Sequence, residues 1–138
     1  MPRSTTISPA GVRFLQEKQI AQVATVMRDG SPQVTPTWVD VEPDGSHLLI
    51  NTVDGWIKLR NLTRDPRVGV SVVDGQNMFR YVIVRGRVVE QRREGADKHV
   101  DFLAQKYTGQ EKYGWPRGPE QRVVLRIKPE FVMERGVE

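Results

Sequence analysis

Six short segments rich in β-branched residues, separated by turn signals, are the feature that most restricts the fold of this 138-residue chain. Strands that follow one another at short spacing through hairpins, with one helical crossover, predict an antiparallel barrel that is closed or nearly closed. The fold class is therefore α+β, mainly β, with helices flanking the barrel. The six predicted strands cover residues 20–27, 32–41, 47–53, 68–73, 79–91 and 121–127. Asp29-Gly30, between the first two, is a strong hairpin signal.

Helix signals and chain length complete this prediction. Ser8-Pro9 places a capping serine before a proline at the first helical position, which predicts a helix of about ten residues. A second helix follows the third strand over residues 56–65 and ends at Pro66, because proline pushes the residue before it out of the helical region. An amphipathic stripe predicts a third helix over residues 94–107. Without a linker or repeat, residues 1–138 are expected to form a single domain.

Composition excludes several classes of site. The chain has no cysteine, so disulfides, thiolate catalysis and cysteine-rich zinc sites are excluded. His47 and His99 lie far apart in the sequence, which argues against a metal centre, and both are expected to face solvent. No apolar run has the length of a membrane span and no hydrophobic leader is present, so a cytoplasmic protein without a membrane partner is expected. The net charge of +4 favours anionic ligands. Nucleic acid is disfavoured because acidic residues interleave with the basic ones.

The segment from Trp56 to Arg67 predicts an anion site. A helix that begins directly after a strand presents unpaired backbone N–H groups and its positive dipole end. Lys58 and Arg60 add two cations there, in the usual environment of a bound phosphate. The same pattern also fits a solvated basic helix face, and the residues alone do not separate the two interpretations.

Pro36 restricts where the second predicted strand can lie in the sheet. Proline cannot donate to a strand ladder, so Pro36 indicates an edge strand, a bulge or a break that faces a ligand. On this strand Gln33, Thr35 and Thr37 share one face. Trp38 is predicted to be a core residue rather than a cofactor stack.

Two residues later in the sequence, Gly86 and Trp115, each have two interpretations. Gly86, in the middle of the fifth strand, indicates a bend or a close backbone approach. Trp115, in a loop rich in glycine, proline and aromatic residues, has two interpretations, a lid over a bound ring or a surface anchor.

Four stretches, taken in chain order, resemble the pyridoxamine 5′-phosphate oxidase-like split β-barrel superfamily. They are residues 29–38, Asn51-Thr52, residues 58–67 and residues 81–88. Residues 58–67 of the basic segment, K-x-R-N-L-x-R-D-P-R, are similar to the branch of that superfamily that binds the deazaflavin coenzyme F-420. The resemblance covers roughly residues 8 to 134. It implies a six-stranded split barrel and a homodimer with two cofactor sites at the subunit interface. The implied cofactor is F-420, with FMN as the alternative.

The resemblance also implies which residues bind the cofactor. Lys58 is the implied principal phosphate cation, and Thr52 with the backbone N–H groups near residues 53–57 completes that part of the site. Arg80 and Tyr81 match a segment that reaches the site from the partner subunit. The full implied cofactor-binding set is Gln33, Thr35, Pro36, Thr37, Asn51, Thr52, Trp56, Ile57, Lys58, Arg60, Asn61, Arg80 and Tyr81.

The activity implied by the resemblance is an oxidoreductase that transfers a hydride from reduced F-420 to a small organic acceptor, which the sequence does not identify. No Ser-His-Asp set or carboxylate pair emerges, so the cofactor would carry the reaction and no catalytic residue is assigned. The proton would come from solvent, Tyr81 or Tyr113. The C-terminal residues 128–134 contain no histidine, which argues against vitamin-B6 oxidation, and Trp56 stands where other members can carry a cation. An FMN-binding oxidoreductase and a cofactor-sequestering protein without turnover remain the alternatives.

Overall fold

Residues 4–114 and 121–138 are described by the computed structural model, and within them the chain forms three helices and one antiparallel sheet. Trp115, with its two interpretations, lies outside these residues. The helices are α1 (Pro9–Leu15), α2 (Ile57–Arg64) and α3 (Ala96–Thr108). The strands are β1 (Ala21–Val26), β2 (Pro32–Thr37), β3 (Asp40–Val41), β4 (Leu48–Val53), β5 (Arg67–Asp74), β6 (Asn77–Arg92) and β7 (Arg122–Arg135).

The sheet curls into a half-barrel whose two edges are joined by the chain itself. The strand order is β2-β1-β5-β6-β7-β4-β3, so β2 and β3 are the two edge strands. Only Trp38 and Val39 separate them in the sequence, and the sheet must curl to bring both edges to this connection. The concave face holds the core, in which Val23, Val70 and Val84 are buried on neighbouring strands. This is the geometry of a split barrel.

The number of strands corrects the sequence prediction, which was six. Seven strands form because the predicted strand over residues 32–41 is two strands, β2 and β3. At the break between them, the Val39 N–H donates to the Tyr107 hydroxyl at 3.1 Å. The Lys106 ammonium donates to the Val39 carbonyl oxygen at 2.8 Å. Side chains of α3 thus satisfy the backbone groups that a neighbouring strand would otherwise bind, and the chain can cross from one edge of the sheet to the other.

The last strand is longer than predicted and extends past Pro129. A register shift pairs Arg85 with Phe131 and Gly86 with Pro129, so Glu130 is the extra residue of a β-bulge. A Cβ atom on Gly86 would lie 2.1 Å from the Lys128 carbonyl oxygen, which only glycine allows. The prediction of a close backbone approach at Gly86 is confirmed, and β7 passes Pro129 at this bulge.

Several local predictions are also confirmed. The Ser8 hydroxyl caps α1 by accepting from the Gly11 N–H at 3.0 Å, although the helix has 7 residues rather than about ten. Gly30, in the turn between β1 and β2, has φ +89°, the left-handed region that favours glycine. Pro36 lies on the edge strand β2. No helix in the described parts of the chain is long and apolar enough to cross a membrane.

Candidate anion-binding site at the start of helix α2

Lys58 is buried at the start of α2, with only 5% of its surface exposed. Leu59 and Leu62 belong to the hydrophobic core, and they turn this side of the short helix inward. The Lys58 ammonium has no hydrogen-bond or ion-pair partner among residues 4–114 and 121–138. Burial, and to a lesser extent the charge of Arg122, lower the pKa of Lys58 to about 8. A solvated basic helix face does not describe this lysine.

Thr52 is a second buried polar group without a partner. It is completely buried on β4, on the same face as the core residues Leu48 and Ile50. Its hydroxyl oxygen has no hydrogen-bond partner in the parts of the chain that the structure describes. An unsatisfied buried polar group costs about 1–3 kcal/mol, so a ligand atom that hydrogen-bonds to it would recover that free energy.

Arg122 brings a second cation to the start of α2, from the face of the β4–β7 pair that carries Asn51 rather than Thr52. It lies opposite Val53 in the β4–β7 register, and the Asp54 N–H donates to the Gln121 carbonyl oxygen at 3.0 Å. The start of β7 therefore borders the turn that leads into α2. Sequence analysis did not select Arg122, because only the β4–β7 pairing brings it near Lys58. A cation at the start of a strand that pairs with β4 is the signal that could have found it, once the strand order was known.

No carboxylate neutralises these two cations within the described residues. The first turn of α2 contains no acidic residue, and the backbone N–H groups of that turn have no side-chain cap. Asp54, in the preceding turn, is paired with Arg93 at 2.8 Å. Among the described residues, two cations and a helix N-terminus without a side-chain cap make a site at the start of α2 whose chemistry fits an anionic group such as a phosphate.

Asn51, in the predicted cofactor-binding set, lies on the opposite face of β4 from Thr52. Its amide nitrogen donates to the Ala96 carbonyl oxygen at 2.9 Å and lies 3.2 Å from His99 Nδ1. Its Oδ1 accepts from Arg122 Nη1 at 3.2 Å. Asn51 therefore faces α3 rather than the barrel interior, and its contacts connect it to the anion site through Arg122.

The prediction that His99 faces solvent is wrong. Its side chain is 12% exposed, and its Nε2 lies 3.0 Å from Asp40 Oδ2. Asp40 belongs to the short strand β3, which the sequence prediction did not separate from β2. His99 therefore meets Asp40 only because the chain passes from β2 at one edge of the sheet to β3 at the other.

Asn61 ties α2 to β1. Its amide nitrogen donates to Thr25 Oγ1 at 3.0 Å and lies 3.2 Å from Met27 Sδ, and its oxygen accepts from Arg64 at 3.1 Å. Arg60, one residue before it, is exposed. In the structure described here Asn61 therefore holds the helix in position beside the sheet.

The predicted residues of β2 divide between the two faces of that strand. Gln33, Thr35 and Thr37 are half-buried on the core side, and Gln33 lies across from Thr25, which Asn61 contacts. Pro36 is exposed on the opposite face, with Gln22 as its register partner. The structure thus places one end of the Gln33–Thr37 row beside α2, but it does not place the Pro36 ring there.

Trp56 and Ile57 lie at the exposed edge of the site, with 52% and 47% of their surfaces accessible. The Arg122 guanidinium carbon is 5.9 Å from the centre of the Trp56 ring. These two apolar side chains therefore border the start of α2 without covering it.

Arg80 and Tyr81 lie elsewhere in the chain. The Arg80 guanidinium binds Glu17 at 2.5 Å and Asp74 at 3.1 Å, and it packs over the Phe14 ring. These contacts raise the pKa of Arg80, chiefly through the hydrogen bond to Glu17. Tyr81 is half-buried and pairs with Val73 on the outer side of the sheet. One chain alone does not bring these two residues to the start of α2.

Trp38, predicted to be a core residue, is half-buried at the edge-to-edge connection. Its ring stacks on Tyr107 with centroids 5.2 Å apart and meets the Tyr113 ring edge-on at 6.1 Å. Together with Ala104 and Gln110, Trp38 and Tyr113 border a cleft of about 220 Å³ beside the end of α3. Trp38 is thus a wall of a small aromatic cleft as well as a packing residue.

Comparisons with known proteins agree with this architecture. The family profile described as pyridoxamine 5′-phosphate oxidase matches residues 7–135. A biliverdin reductase from Mycobacterium tuberculosis (strain CDC 1551 / Oshkosh), named as dependent on reduced F-420, is 26% identical over 130 residues, which are 94% of this chain and 89% of the relative. A solved F-420 reductase is 27% identical, with a TM-score of 0.78 over 88% of this chain and 94% of that one. A FAD-binding protein from Mesorhizobium loti is 25% identical, with a TM-score of 0.64 over 96% of each chain.

Proposed function

The chain belongs to the pyridoxamine 5′-phosphate oxidase family, and we propose that within this family it is an oxidoreductase that uses coenzyme F-420. The observation that carries the proposal is the buried side chain of Lys58 at the start of α2, whose ammonium has no partner among the described residues. Two similar proteins, the biliverdin reductase and the solved F-420 reductase, are named for the same coenzyme. Their likeness supports F-420 over FMN as the cofactor of this chain.

The residues at the start of α2 fit the phosphate of such a coenzyme. Lys58 supplies a cation, the uncapped N–H groups of the first helical turn supply donors, and the unpaired Thr52 hydroxyl supplies a further donor. A hydrogen bond between an ammonium and a phosphate contributes about 1.5–3 kcal/mol. Lys58 and Thr52 are buried without a partner among the described residues, and a bound phosphate would offset the free-energy cost of that burial. Groups exposed to water would not carry this cost.

When bound, the reduced coenzyme supplies the hydride that reaches the organic acceptor. The contribution of the chain is to bind, orient and shield. Lys58 and the helix N-terminus hold one end of the ligand, and the half-buried row of Gln33, Thr35 and Thr37 offers polar groups along β2. Trp56 and Ile57 offer exposed apolar surface that can exclude water from the site once it is covered.

We also propose that the protein is a homodimer in which the outer face of the sheet is the interface. Val34 and Val73 are 55% and 44% exposed on this face, and Ala24, Ile83 and Met133 lie on it as well. An exposed apolar surface of this kind is typical of a protein–protein contact. Tyr81 lies on the same face, and in a dimer it would reach the cofactor of the partner, whereas Arg80 would do so only by leaving Glu17 and Asp74. Light scattering of the purified protein tests this proposal, and a monomer at micromolar concentration would refute it.

A binding titration with F-420 and with FMN, followed by fluorescence, tests the cofactor. We expect F-420 to bind more tightly than FMN. Tight FMN binding without F-420 binding would replace the proposal by a flavin-dependent oxidoreductase, a second candidate that the similarity to a FAD-binding protein favours. Oxidation of the bound, reduced coenzyme by quinones, enones or tetrapyrroles would then define the acceptor. Binding of F-420 without oxidation by any of them would favour the sequestering function.

A further inference from the structure

We propose that Arg122 is a second phosphate-binding residue, and that Arg122 and Lys58 hold one phosphoryl group between β7 and the start of α2. The identity of the molecule that carries this group rests on the function proposed above. Arg122 is the first residue of β7, a strand that the sequence pattern did not connect with the site. Because β7 pairs with β4, Arg122 lies beside the turn that leads from β4 into α2 and adds a cation there.

The first observation is that Arg122 differs from the other half-buried arginines of the sheet. Arg80 is paired with two carboxylates, those of Glu17 and Asp74. Arg126, on the same strand and face as Arg122, lies 3.5 Å from Glu42 and 3.9 Å from Glu90. Within the part of the chain that the structure describes, Arg122 has no carboxylate partner. A partly buried guanidinium without a counter-ion is costly, and a bound anion would remove that cost.

The second observation is that, among the residues the structure describes, only uncharged groups hold the Arg122 side chain in place. Its Nη1 donates to Asn51 Oδ1 at 3.2 Å, and its guanidinium carbon lies 4.5 Å from the centre of the Tyr113 ring. The Asn51 amide is oriented in turn by the Ala96 carbonyl oxygen and by His99. These contacts fix the guanidinium but leave its charge uncompensated. Asn51 is therefore a positioning residue for Arg122.

The third observation is that Arg122 and Lys58 act on each other. The charge of Arg122 is one of the two causes that lower the pKa of Lys58. Arg122 pairs with Val53 and lies against Trp56, the residues just before α2, so its charge faces the helix turn that carries Lys58. With no acid between them among the described residues, the two cations repel each other unless an anion binds both. A planar guanidinium binds two phosphate oxygens at once, and an ammonium binds a third as a point charge. The pair therefore favours a phosphoryl group over a singly charged carboxylate.

The first test compares two arginines on one strand. We expect Arg122→Gln to weaken F-420 binding roughly tenfold or more, because a charge-assisted contact is lost. Arg126→Gln removes the same charge from the same strand and face, and F-420 binding should change less than twofold. Arg122→Lys keeps the charge without the planar fork and should give an intermediate affinity. The proposal is overturned if Arg122→Gln binds F-420 like the wild type, or if the two glutamine variants are weakened equally.

The second test uses the wild-type protein and inorganic phosphate, so it needs neither the coenzyme nor a variant that folds. Nuclear magnetic resonance follows the Lys58 13Cε signal and the Arg122 Nε–H signal during a phosphate titration. We expect both signals to shift with one dissociation constant. If Lys58 shifts alone, or if neither signal shifts, Arg122 is not part of an anion site. If both shift but neither F-420 nor FMN binds, the proposed function fails while the paired phosphate site stands.

Discussion

The Lys106 ammonium lies 2.8 Å from the carbonyl oxygen of Val39, at the point where the chain passes from one edge of the sheet to the other. The same ammonium donates to the Leu15 carbonyl oxygen at 2.7 Å. One side chain of α3 therefore binds both the end of α1 and the break between β2 and β3, which is the split of the barrel. Lys58 is buried and Lys106 is half-buried, and burial lowers the pKa of each to about 8. They differ in that the Lys106 ammonium donates to two carbonyl oxygens, whereas the Lys58 ammonium has no acceptor among the described residues.

Replacing Lys106 by methionine should destabilise the protein. The variant leaves the Leu15 carbonyl without a donor and weakens the bonding of Val39, so we expect the free energy of unfolding to fall by about 1–3 kcal/mol. Urea unfolding followed by circular dichroism measures the change. Lys98→Met, at an exposed position of the same helix, is the matched control and should change it by less than about 0.5 kcal/mol. Equal effects of the two substitutions would show that the contacts of Lys106 do not hold the split.

Local signals in the sequence predicted the parts of this fold that depend on neighbouring residues. Ser8 caps α1, Gly30 turns the first hairpin and Pro66 follows α2, because each signal acts within a few residues of its own position. The break at Val39 could not be predicted in the same way. It depends on Tyr107 and Lys106, which are distant in the sequence and reach Val39 only when α3 is packed in place.

The same distinction applies to the candidate site. Lys58 was selected because a helix that begins directly after a strand is visible in the sequence and because the family resemblance implies a phosphate there, and its burial argues against a solvated helix face. Arg122 and the contact between His99 and Asp40 depend on strand order, which the pattern of hydrophobic residues does not encode. Asn51 was selected for binding, yet alternation along β4 turns it away from Thr52 and toward α3.

Replacing Lys58 by methionine should have the opposite effect on stability from the Lys106 substitution. The methionine removes a buried ammonium that has no partner among the described residues, so we expect the ligand-free protein to keep or gain stability, by up to about 1 kcal/mol. Binding of F-420 should weaken roughly tenfold or more, because the charge-assisted contact is lost. Thermal unfolding and the fluorescence titration measure the two effects on the same sample.

The control for this substitution is Arg60→Gln, which removes a cation from an exposed position of the same helix. Stability should change by less than about 0.5 kcal/mol, and F-420 binding should weaken less than it does in Lys58→Met. If Lys58→Met unfolds more easily and still binds F-420 like the wild type, Lys58 is a structural residue and the candidate site is wrong.

Binding of F-420 should weaken as the pH rises above 8. The pKa of Lys58 in the ligand-free protein is lowered to about 8 by burial and by Arg122, so below that pH the ammonium form is present and binds the phosphate directly. Above it the free protein loses the proton, and binding must take it up again, so the dissociation constant increases with pH. Titrations between pH 7 and about 9.5 measure the slope. Lys58→Arg, which stays charged throughout, should flatten it, and an equally steep slope in that variant would assign the effect to another group.

Gly86→Ala should destabilise the sheet at the bulge where β7 passes Pro129. The added Cβ would lie 2.1 Å from the Lys128 carbonyl oxygen, so the two strands must separate or the bulge must shift, at a cost of about 1–3 kcal/mol. Urea unfolding measures this loss. Gly69→Ala, in the middle of the neighbouring strand β5, is the matched control, because its nearest contact would be the Ala24 Cβ at an ordinary 3.8 Å. Since alanine also lowers the entropy of the unfolded chain, the control should keep or slightly raise the stability. If both substitutions are tolerated equally, the strands at Gly86 are not held by the backbone approach that the structure contains.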